Sequence, residues 1–195
     1  MEDVEGFVVR SVIPEDFAAW QVLWDGYNAF YGREGATALP AAVTQMTWSR
    51  FFDAYEPVHA MVAERAGRLL GLVHYLFHRN TTQIPPVCYL QDLFTIEEAR
   101  GRGVGRALIE AVYERARSAG VQRVYWQTHE TNTHAMLLYD KIAERSGFVV
   151  YRKRCEARRA AAHGQRPGER IAGAHATRPA WPACRPPSRR ARSGR

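Results

Sequence analysis

The segment that most constrains the fold runs from residue 89 to residue 119 and contains three patterns in a fixed order. Residues 89–95 read Tyr-Leu-Gln-Asp-Leu-Phe-Thr, which is typical of a strand. Residues 100–106 read Arg-Gly-Arg-Gly-Val-Gly-Arg, and apolar side chains then recur at every fourth position from Val104 to Ala116. The segment therefore predicts a strand, a glycine-rich loop and a helix that begins inside the loop.

This loop has the properties of a phosphate-binding site. The start of a helix leaves backbone N–H groups unpaired and carries a partial positive charge, which favours a pyrophosphate there. Three glycines allow the backbone to approach a ligand closely, and three arginines add cationic donors. These residues are Gly101, Gly103, Gly105, Arg100, Arg102 and Arg106. A pocket for a phosphorylated ligand is the interpretation that explains both residue types together.

The loop has two other interpretations. A glycine-rich turn before a helix is often only a tight connection, and the arginines can simply be solvated. The loop also resembles half of a dinucleotide-binding fingerprint, which needs a chain-initial strand and an acidic residue about 20 positions later. Here the strand lies in mid-chain, and the next predicted strand, residues 121–127, ends in Gln127.

The chain order predicts an α/β protein with a mixed sheet. Strands are predicted at residues 7–13, 58–64, 69–77, 89–95, 121–127 and 148–152, and helices from Pro14, from residue 41 to 52, from Val104 and from residue 133 to 144. The turn at residues 65–68 contains Gly67, where a positive φ is expected. His74 and His78 are interpreted as ordinary sheet residues, and Cys88 as a small buried side chain.

The positive charge is confined to the end of the chain. The formal charge is +7, and residues 156–195, with ten Arg and two Glu, account for +8, which leaves −1 on residues 1–155. A folded domain of residues 1–155 is therefore not expected to bind nucleic acid. The Arg/Ala/Pro-rich residues 156–195 are predicted to be a disordered tail, either a basic arm or an out-of-frame read.

The sequence also bears on the compartment, on disulfides and on metal binding. The acidic first residues do not look like a signal peptide, and no apolar run approaches the length of a membrane span, so a cytoplasmic protein is expected. Three cysteines with no CxxC pair give no indication of a disulfide framework or a metal site.

The strand and the glycine-rich loop together resemble the GNAT superfamily of acetyl-CoA-dependent N-acetyltransferases. Residues 100–105 match the (Arg/Gln)-x-x-Gly-x-(Gly/Ala) signature of that family, and the Tyr-Leu-Gln-Asp-Leu-Phe strand looks like the branch of diamine and Hpa2-type histone and polyamine acetyltransferases. The resemblance covers residues 7–154. It implies a largely antiparallel mixed sheet of six to seven strands with four helices, splayed between strands 4 and 5, and a homodimer.

The resemblance also implies site residues. The pyrophosphate of CoA would lie on the amides of residues 101–106, including Val104, and the pantetheine arm would run beside Leu93, Phe94 and Thr95. Asn132 matches the residue that contacts this arm, and Tyr139 matches the tyrosine beside the thioester sulfur, the general acid.

The general base is left open by the sequence. Diamine acetyltransferases have a glutamate where this chain has Gln91, and an amide cannot accept a proton at neutral pH. Asp92 faces the other side of a regular strand, so it can replace that glutamate only if a bulge redirects it. A base acting through water, from Glu130 or His129, is the other option.

The leading functional hypothesis is transfer of an acetyl group to a primary amine: a polyamine, a small-molecule amine or a lysine side chain. Tyr27 and Tyr31, at the end of an aromatic helix face, are candidates to line the substrate mouth with Gln91 and Glu130. One alternative is a CoA-binding sensor without turnover, suggested by Gln91. The other is a nucleic-acid-associated protein that acts through the basic tail.

Overall fold

The computed structural model describes residues 6–153. Within them lie five strands, four α-helices and short 3₁₀ turns. The elements are β1 (Val8–Ser11), α1 (Phe17–Phe30), α2 (Ala41–Arg50), β2 (Val58–Arg65), β3 (Arg68–His78), β4 (Val87–Thr95), α3 (Val104–Ser118), β5 (Val124–Tyr125) and α4 (Thr133–Ile142). The four predicted helices are confirmed.

The strands form one mixed sheet in the order β1-β2-β3-β4-β5. The first three pairings are antiparallel, and β4 pairs with β5 in parallel. That last pairing joins only Cys88 to Val124 and Tyr89 to Tyr125, although β4 continues to Thr95. Among residues 6–153, no strand lies beside this edge of β4 after Tyr89, which confirms the predicted separation of strands 4 and 5.

The expected strand count of six to seven is too high for the described residues, which contain five. The strand predicted at residues 121–127 is reduced to Val124–Tyr125, and residues 148–152 are not a strand. Apolar and β-branched residues indicate only that a segment fits a sheet; a strand also needs a neighbouring backbone to pair with.

The described residues fall into two units, which divide after Gly147. Of the second unit the structure describes residues 148–153, which form irregular chain with exposed side chains from Phe148 to Tyr151. The predicted domain end at residue 155 and the predicted tail, residues 156–195, lie outside the described residues.

Two apolar clusters cover the two faces of the sheet. On one face α3 contributes Leu108, Ile109 and Val112, all fully buried. On the other face α1 contributes Trp20, Leu23, Trp24 and Tyr27, which recur at helical spacing and pack on β2 and β3. The sheet is thus held between helices on both sides, and the aromatic face of α1 lies against it.

The β2–β3 turn supports the alignment of these strands. Ala66 and Gly67 both have positive φ, 49° and 79°, the conformation of a two-residue hairpin turn that matches strand twist. The expectation for Gly67 is confirmed. None of the helices in residues 6–153 has the length and apolar character needed to cross a lipid bilayer.

Candidate active site

The glycine-rich loop has the backbone that its sequence predicts. Gly101 and Gly103 have φ of 71° and 82°, in the left-handed region that favours glycine, and α3 begins directly after Gly103. The N–H groups of the first turn, from Val104 onward, have no acceptor within the helix. The side chain of Val104 is buried, so only its backbone is available to a ligand. The loop presents unpaired donors on a fixed helix start.

The three loop arginines are exposed around these donors. Arg100 donates from Nε to the carbonyl oxygen of Thr95 at 3.4 Å, which links the loop to the end of β4. Arg102 borders a small cavity of about 30 Å³ beside Arg65 and Arg68, and Arg106 is on the exposed side of α3. The loop is therefore strongly cationic, as an anionic ligand requires.

The end of β4, the start of α3 and the middle of α4 meet at Gly105. A Cβ at this position would lie 3.7 Å from Thr95 Oγ1 and 3.8 Å from Leu138 Cδ2. Gly105 does not have a positive φ, and both distances are ordinary van der Waals contacts. The predicted pantetheine strand, the predicted pyrophosphate loop and the helix that carries Tyr139 are therefore contiguous.

A β-bulge interrupts β4 at Gln91. The antiparallel register pairs His74 with Asp92 and Tyr75 with Leu90, which leaves Gln91 as the extra residue. The bulge changes the alternation of the strand: Leu90 and Leu93 both contact the α3 cluster. The intervening Asp92 faces α1, and Gln91 is exposed. The bulge therefore redirects Asp92 to the α1 face, which is the condition under which Asp92 can replace the glutamate of the diamine acetyltransferases.

Asp92 lies at the centre of a buried polar cluster. Its Oδ2 is 3.0 Å from Nδ1 of His74, and both side chains are under 10% exposed. Tyr27 is nearly buried beside it: burial raises the pKa of this phenol most, and the charge of Asp92 and a hydrogen bond to it add to that effect. Burial and the charge of Asp92 also raise the pKa of Tyr31 and of Tyr89.

His74 and His78 are not the ordinary sheet residues that the sequence analysis expected. His74 joins Asp92 to the indole of Trp20, and His78 Nε2 is 3.0 Å from the hydroxyl of Tyr125. These partners lie 18 to 54 positions away in the chain, so no local pattern in the sequence indicates the contacts.

Arg33 lies beside the two tyrosines of the predicted substrate mouth, although no sequence pattern pointed to it. Its guanidinium carbon lies 5.5 Å from the ring centre of Tyr27 and 5.2 Å from that of Tyr31. Its Nε donates to Oδ1 of Asn28 at 2.7 Å, and Asn28 is itself buried and bonded to the carbonyl of Trp24. The guanidinium is thus held beside the predicted substrate mouth, which is the opening at Tyr27 and Tyr31. Tyr31 is 42% exposed there. Its position in a polar connection gave no sequence signal.

Tyr139 lies at the same mouth from the side of α4. Its ring packs against Trp126 in a T-shaped contact, with centroids 5.4 Å apart. Burial raises its pKa to about 12, with a smaller contribution from the charge of Tyr31. Tyr139 therefore holds its proton throughout the neutral pH range and is close enough to Tyr31 for the two phenols to interact.

The loop before α4 forms the outer wall of this mouth. A cleft of about 280 Å³ is lined by Tyr31, His129 and Asn132, among others. Asn132 begins α4 and donates from Nδ2 to Thr128 Oγ1 at 3.1 Å. Glu130 is exposed and does not line this cleft, while His129 does. Of the two sequence candidates for a water-mediated base, the structure brings only His129 to the cleft.

Cys88 lies in β4, fully buried, and burial raises its pKa to about 12. It is therefore a neutral thiol that solvent does not reach. Residues 6–153 contain no group of three His, Cys, Asp or Glu side chains arranged to hold a metal ion.

Comparison with known proteins identifies the class to which this arrangement belongs. Residues 19–143 match the Acetyltransferase (GNAT) family. The D-amino-acid N-acetyltransferase HPA3 of Saccharomyces cerevisiae is 38% identical over 148 residues, which cover 75% of this chain and 89% of the yeast protein. A mycothiol acetyltransferase of Thermobispora bispora is 33% identical over 159 residues, which cover 76% of this chain and 50% of that protein.

Solved structures share the fold. The aminoglycoside acetyltransferase AAC(6')-Iy in complex with a bisubstrate analog aligns with a TM-score of 0.65 and 20% identity, covering 77% of this chain and all of that one. A probable acetyltransferase aligns with a TM-score of 0.67 and 21% identity, covering 77% and 99%. The match to the family, the 38% identity to an N-acetyltransferase and the shared fold agree. The chain therefore belongs to the GNAT family and is an N-acetyltransferase.

Proposed function

We propose that this enzyme transfers an acetyl group directly from acetyl-CoA to a primary amine, with Asp92 as the general base and Tyr139 as the general acid. The observation that carries the proposal is the bulge at Gln91, which turns a buried carboxylate toward the aromatic mouth. With Asp92 on this face, Gln91 no longer argues for a sensor without turnover.

The residues around the loop fit acetyl-CoA. The pyrophosphate would receive the amides that follow the left-handed Gly101 and Gly103, with the loop arginines around it. The pantetheine arm would lie along the edge of β4 that has no strand beside it after Tyr89, near Asn132. When bound there, acetyl-CoA supplies the thioester that an amine can attack.

Asp92 addresses the first chemical requirement, which is removal of a proton from the amine. An alkyl ammonium group has a pKa of about 10.4, so at neutral pH nearly all of it is protonated and unreactive. A carboxylate beside the amine, or one water away from it, can accept this proton and leave a neutral amine whose lone pair attacks the thioester. Tyr27 and Tyr31 surround that position with rings that also attract an ammonium group.

Tyr139 would meet the second chemical requirement, which is a proton for the departing thiolate. A departing thiolate is stabilised by a nearby O–H donor that can give it a proton. With a pKa of about 12, Tyr139 carries this proton at every pH in the neutral range. Direct transfer is favoured because the buried, neutral thiol of Cys88 cannot act as an acyl carrier.

Arg33 bears on the choice of amine. A polyamine would place a second positive charge near this guanidinium, whereas the carboxylate of an amino acid would pair with it while the amine faces Asp92. The yeast relative is named for D-amino acids, in agreement with this geometry. An α-amino acid is thus the favoured acceptor, with a polyamine or a lysine side chain as the competing class.

The test is release of CoA thiol from acetyl-CoA with D- and L-amino acids, their carboxamides, spermidine and lysine peptides. Amino acids should give the highest kcat/KM. Arg33→Gln should lower kcat/KM for amino acids about 10- to 100-fold, the loss of one charge-assisted bond, and leave the carboxamides unchanged. The matched control is Arg117→Gln, which removes an exposed guanidinium on the last turn of α3.

Two results would count against this proposal. Spermidine as the best acceptor, with no response to Arg33→Gln, would favour the polyamine class. No thiol release with any amine, despite acetyl-CoA binding, would favour the sensor. Removing residues 156–195 should not change acetyl-CoA affinity in either case, and should abolish any salt-sensitive nucleic-acid binding.

A further inference from the structure

Behind Asp92 three side chains from three elements form a linear chain of hydrogen bonds. Trp20 on α1 donates from Nε1 to Nε2 of His74 on β3 at 3.0 Å, and Nδ1 of His74 is 3.0 Å from Oδ2 of Asp92 on β4. Trp20 is 0% exposed, His74 2% and Asp92 7%. The chain therefore runs entirely inside the protein and ends at the carboxylate that faces the mouth.

The donors in this chain fix the protonation of His74. An indole nitrogen can only donate, so Nε2 of His74 must be the bare, accepting nitrogen. A neutral imidazole then carries its proton on Nδ1, which donates to Asp92. Imidazolium is excluded as long as the Trp20 bond is made, because a protonated Nε2 has no lone pair to offer. His74 is thus a neutral donor and not half of an ion pair.

The surroundings hold the imidazole in place. The rings of Trp24 and Phe51 lie 5.3 and 4.8 Å from it, centre to centre, and neither can titrate. Besides His74, the titratable groups that face Asp92 are three phenols, and the guanidinium of Arg33 lies over the rings of two of them, Tyr27 and Tyr31. The phenols are Tyr27 and Tyr31 on α1 and Tyr89 on β4. All three have raised pKa values, so they stay neutral when Asp92 is ionised.

We propose that His74 and Trp20 are positioning residues that hold the carboxylate of Asp92 ionised and in one orientation, with His74 locked as the neutral Nδ1–H tautomer. This inference rests on the proposed role of Asp92 as the base. A buried carboxylate needs hydrogen-bond donors to remain charged, and His74 provides one in addition to Tyr27 without adding a charge that would weaken the base. Trp20 prevents His74 from taking up a proton of its own.

The tautomer can be measured directly by ¹⁵N NMR of protein labelled at its seven histidines. His74 is identified by its coupling to the Trp20 indole proton. Its Nδ1 should be protonated and its Nε2 bare, because the indole of Trp20 can only donate. In Trp20→Phe, which lacks this donor, a proton on Nε2 should become detectable. A wild-type His74 that carries a proton on Nε2 overturns the proposal whether or not Asp92 is the base.

The kinetic test uses the acidic limb of kcat/KM against pH. His74→Phe removes the donor and should move this limb up by about one to two pH units, the contribution of one hydrogen bond to a charged group. His74→Asn keeps an N–H near the Nδ1 position and should restore the limb. Equal shifts in both variants, or no shift in His74→Phe, contradict the positioning role.

Two controls separate this inference from the proposed function. His59→Asn changes a histidine that packs on Tyr75 and Phe77 and should leave the limb unchanged. Acetyl-CoA affinity should be the same in every variant that folds. Full activity in Asp92→Asn would overturn the base assignment, while the NMR result would still decide the protonation of His74. If His74→Phe does not fold, the wild-type and Trp20→Phe spectra decide the matter.

Discussion

Replacing Asp92 with asparagine separates the chemical role of this side chain from its structural role. In the wild-type protein, Nδ1 of His74 lies 3.0 Å from Oδ2 of Asp92. Asparagine keeps the shape of the aspartate side chain and has a carbonyl oxygen that can accept a hydrogen bond from this Nδ1–H. It removes the charge and the ability to take a proton from an amine. We expect Asp92→Asn to fold, to bind acetyl-CoA normally and to lose turnover.

The magnitudes differ for the two roles. A positioned general base contributes about 10²- to 10⁴-fold, so kcat should fall by this factor. A neutral hydrogen bond replaces a charged one, but a buried charge also disappears, so the free energy of unfolding should change by about 1 kcal/mol or less. Asp92→Ala should lose the same activity and also leave the buried N–H of His74 without an acceptor, at a cost of about 1–3 kcal/mol.

The assays are CoA thiol release at saturating substrates, acetyl-CoA titration and urea denaturation. Asp53→Asn is the control, since it changes the charge of an exposed aspartate that only caps a turn at Tyr55. The reasoning is refuted if Asp92→Asn keeps more than about a tenth of wild-type kcat at neutral pH. Equal stability of the Asn and Ala variants would refute the contact with His74.

The other predictions concern the proposed general acid, the packing of the sheet and the loss of stability at low pH. Tyr139→Phe should lower kcat far more than acetyl-CoA affinity; equal losses would make this residue a packing residue. Gly71→Ala should destabilise the protein by about 1–3 kcal/mol, because its Cβ would lie 2.6 Å from the backbone oxygen of Phe94; unchanged urea denaturation would contradict this contact. A hydrogen bond from Arg10 lowers the pKa of Asp16, so its stabilisation is present above about pH 4 and is lost as the pH falls further. Asp16→Asn should therefore be less stable than wild type at pH 7, and the difference in unfolding free energy should shrink at acid pH.

The features that the sequence predicted well depend on neighbouring residues. The period of four from Val104 to Ala116 and the glycines before it indicated a helix that begins in a loop, and α3 and the φ values of Gly101 and Gly103 agree. The hairpin turn at Gly67 was likewise readable, because glycine is the residue that best tolerates the backbone it needs. Periodicity and turn chemistry are local, so the sequence alone carries them.

The strand pattern at residues 148–152 misled the prediction for a physical reason. A run of aromatic and β-branched residues suits a sheet, but it does not supply a neighbouring strand to pair with. In the same way the seven residues at 121–127 pair with β4 over only two positions, Val124 and Tyr125. Pairing is a property of two backbones, and one segment does not determine it.

The sequence by itself determined that a cationic, glycine-rich helix start stands at the centre of this chain, and that Gln91 cannot be a base. Only the tertiary structure decided which way Asp92 faces, because a bulge is defined by the register of β4 against β3. It also brought Trp20 and His74, 54 positions apart, into one hydrogen-bonded chain with that carboxylate. Contacts of this kind depend on how α1 packs on the sheet, and packing joins residues that no local pattern connects.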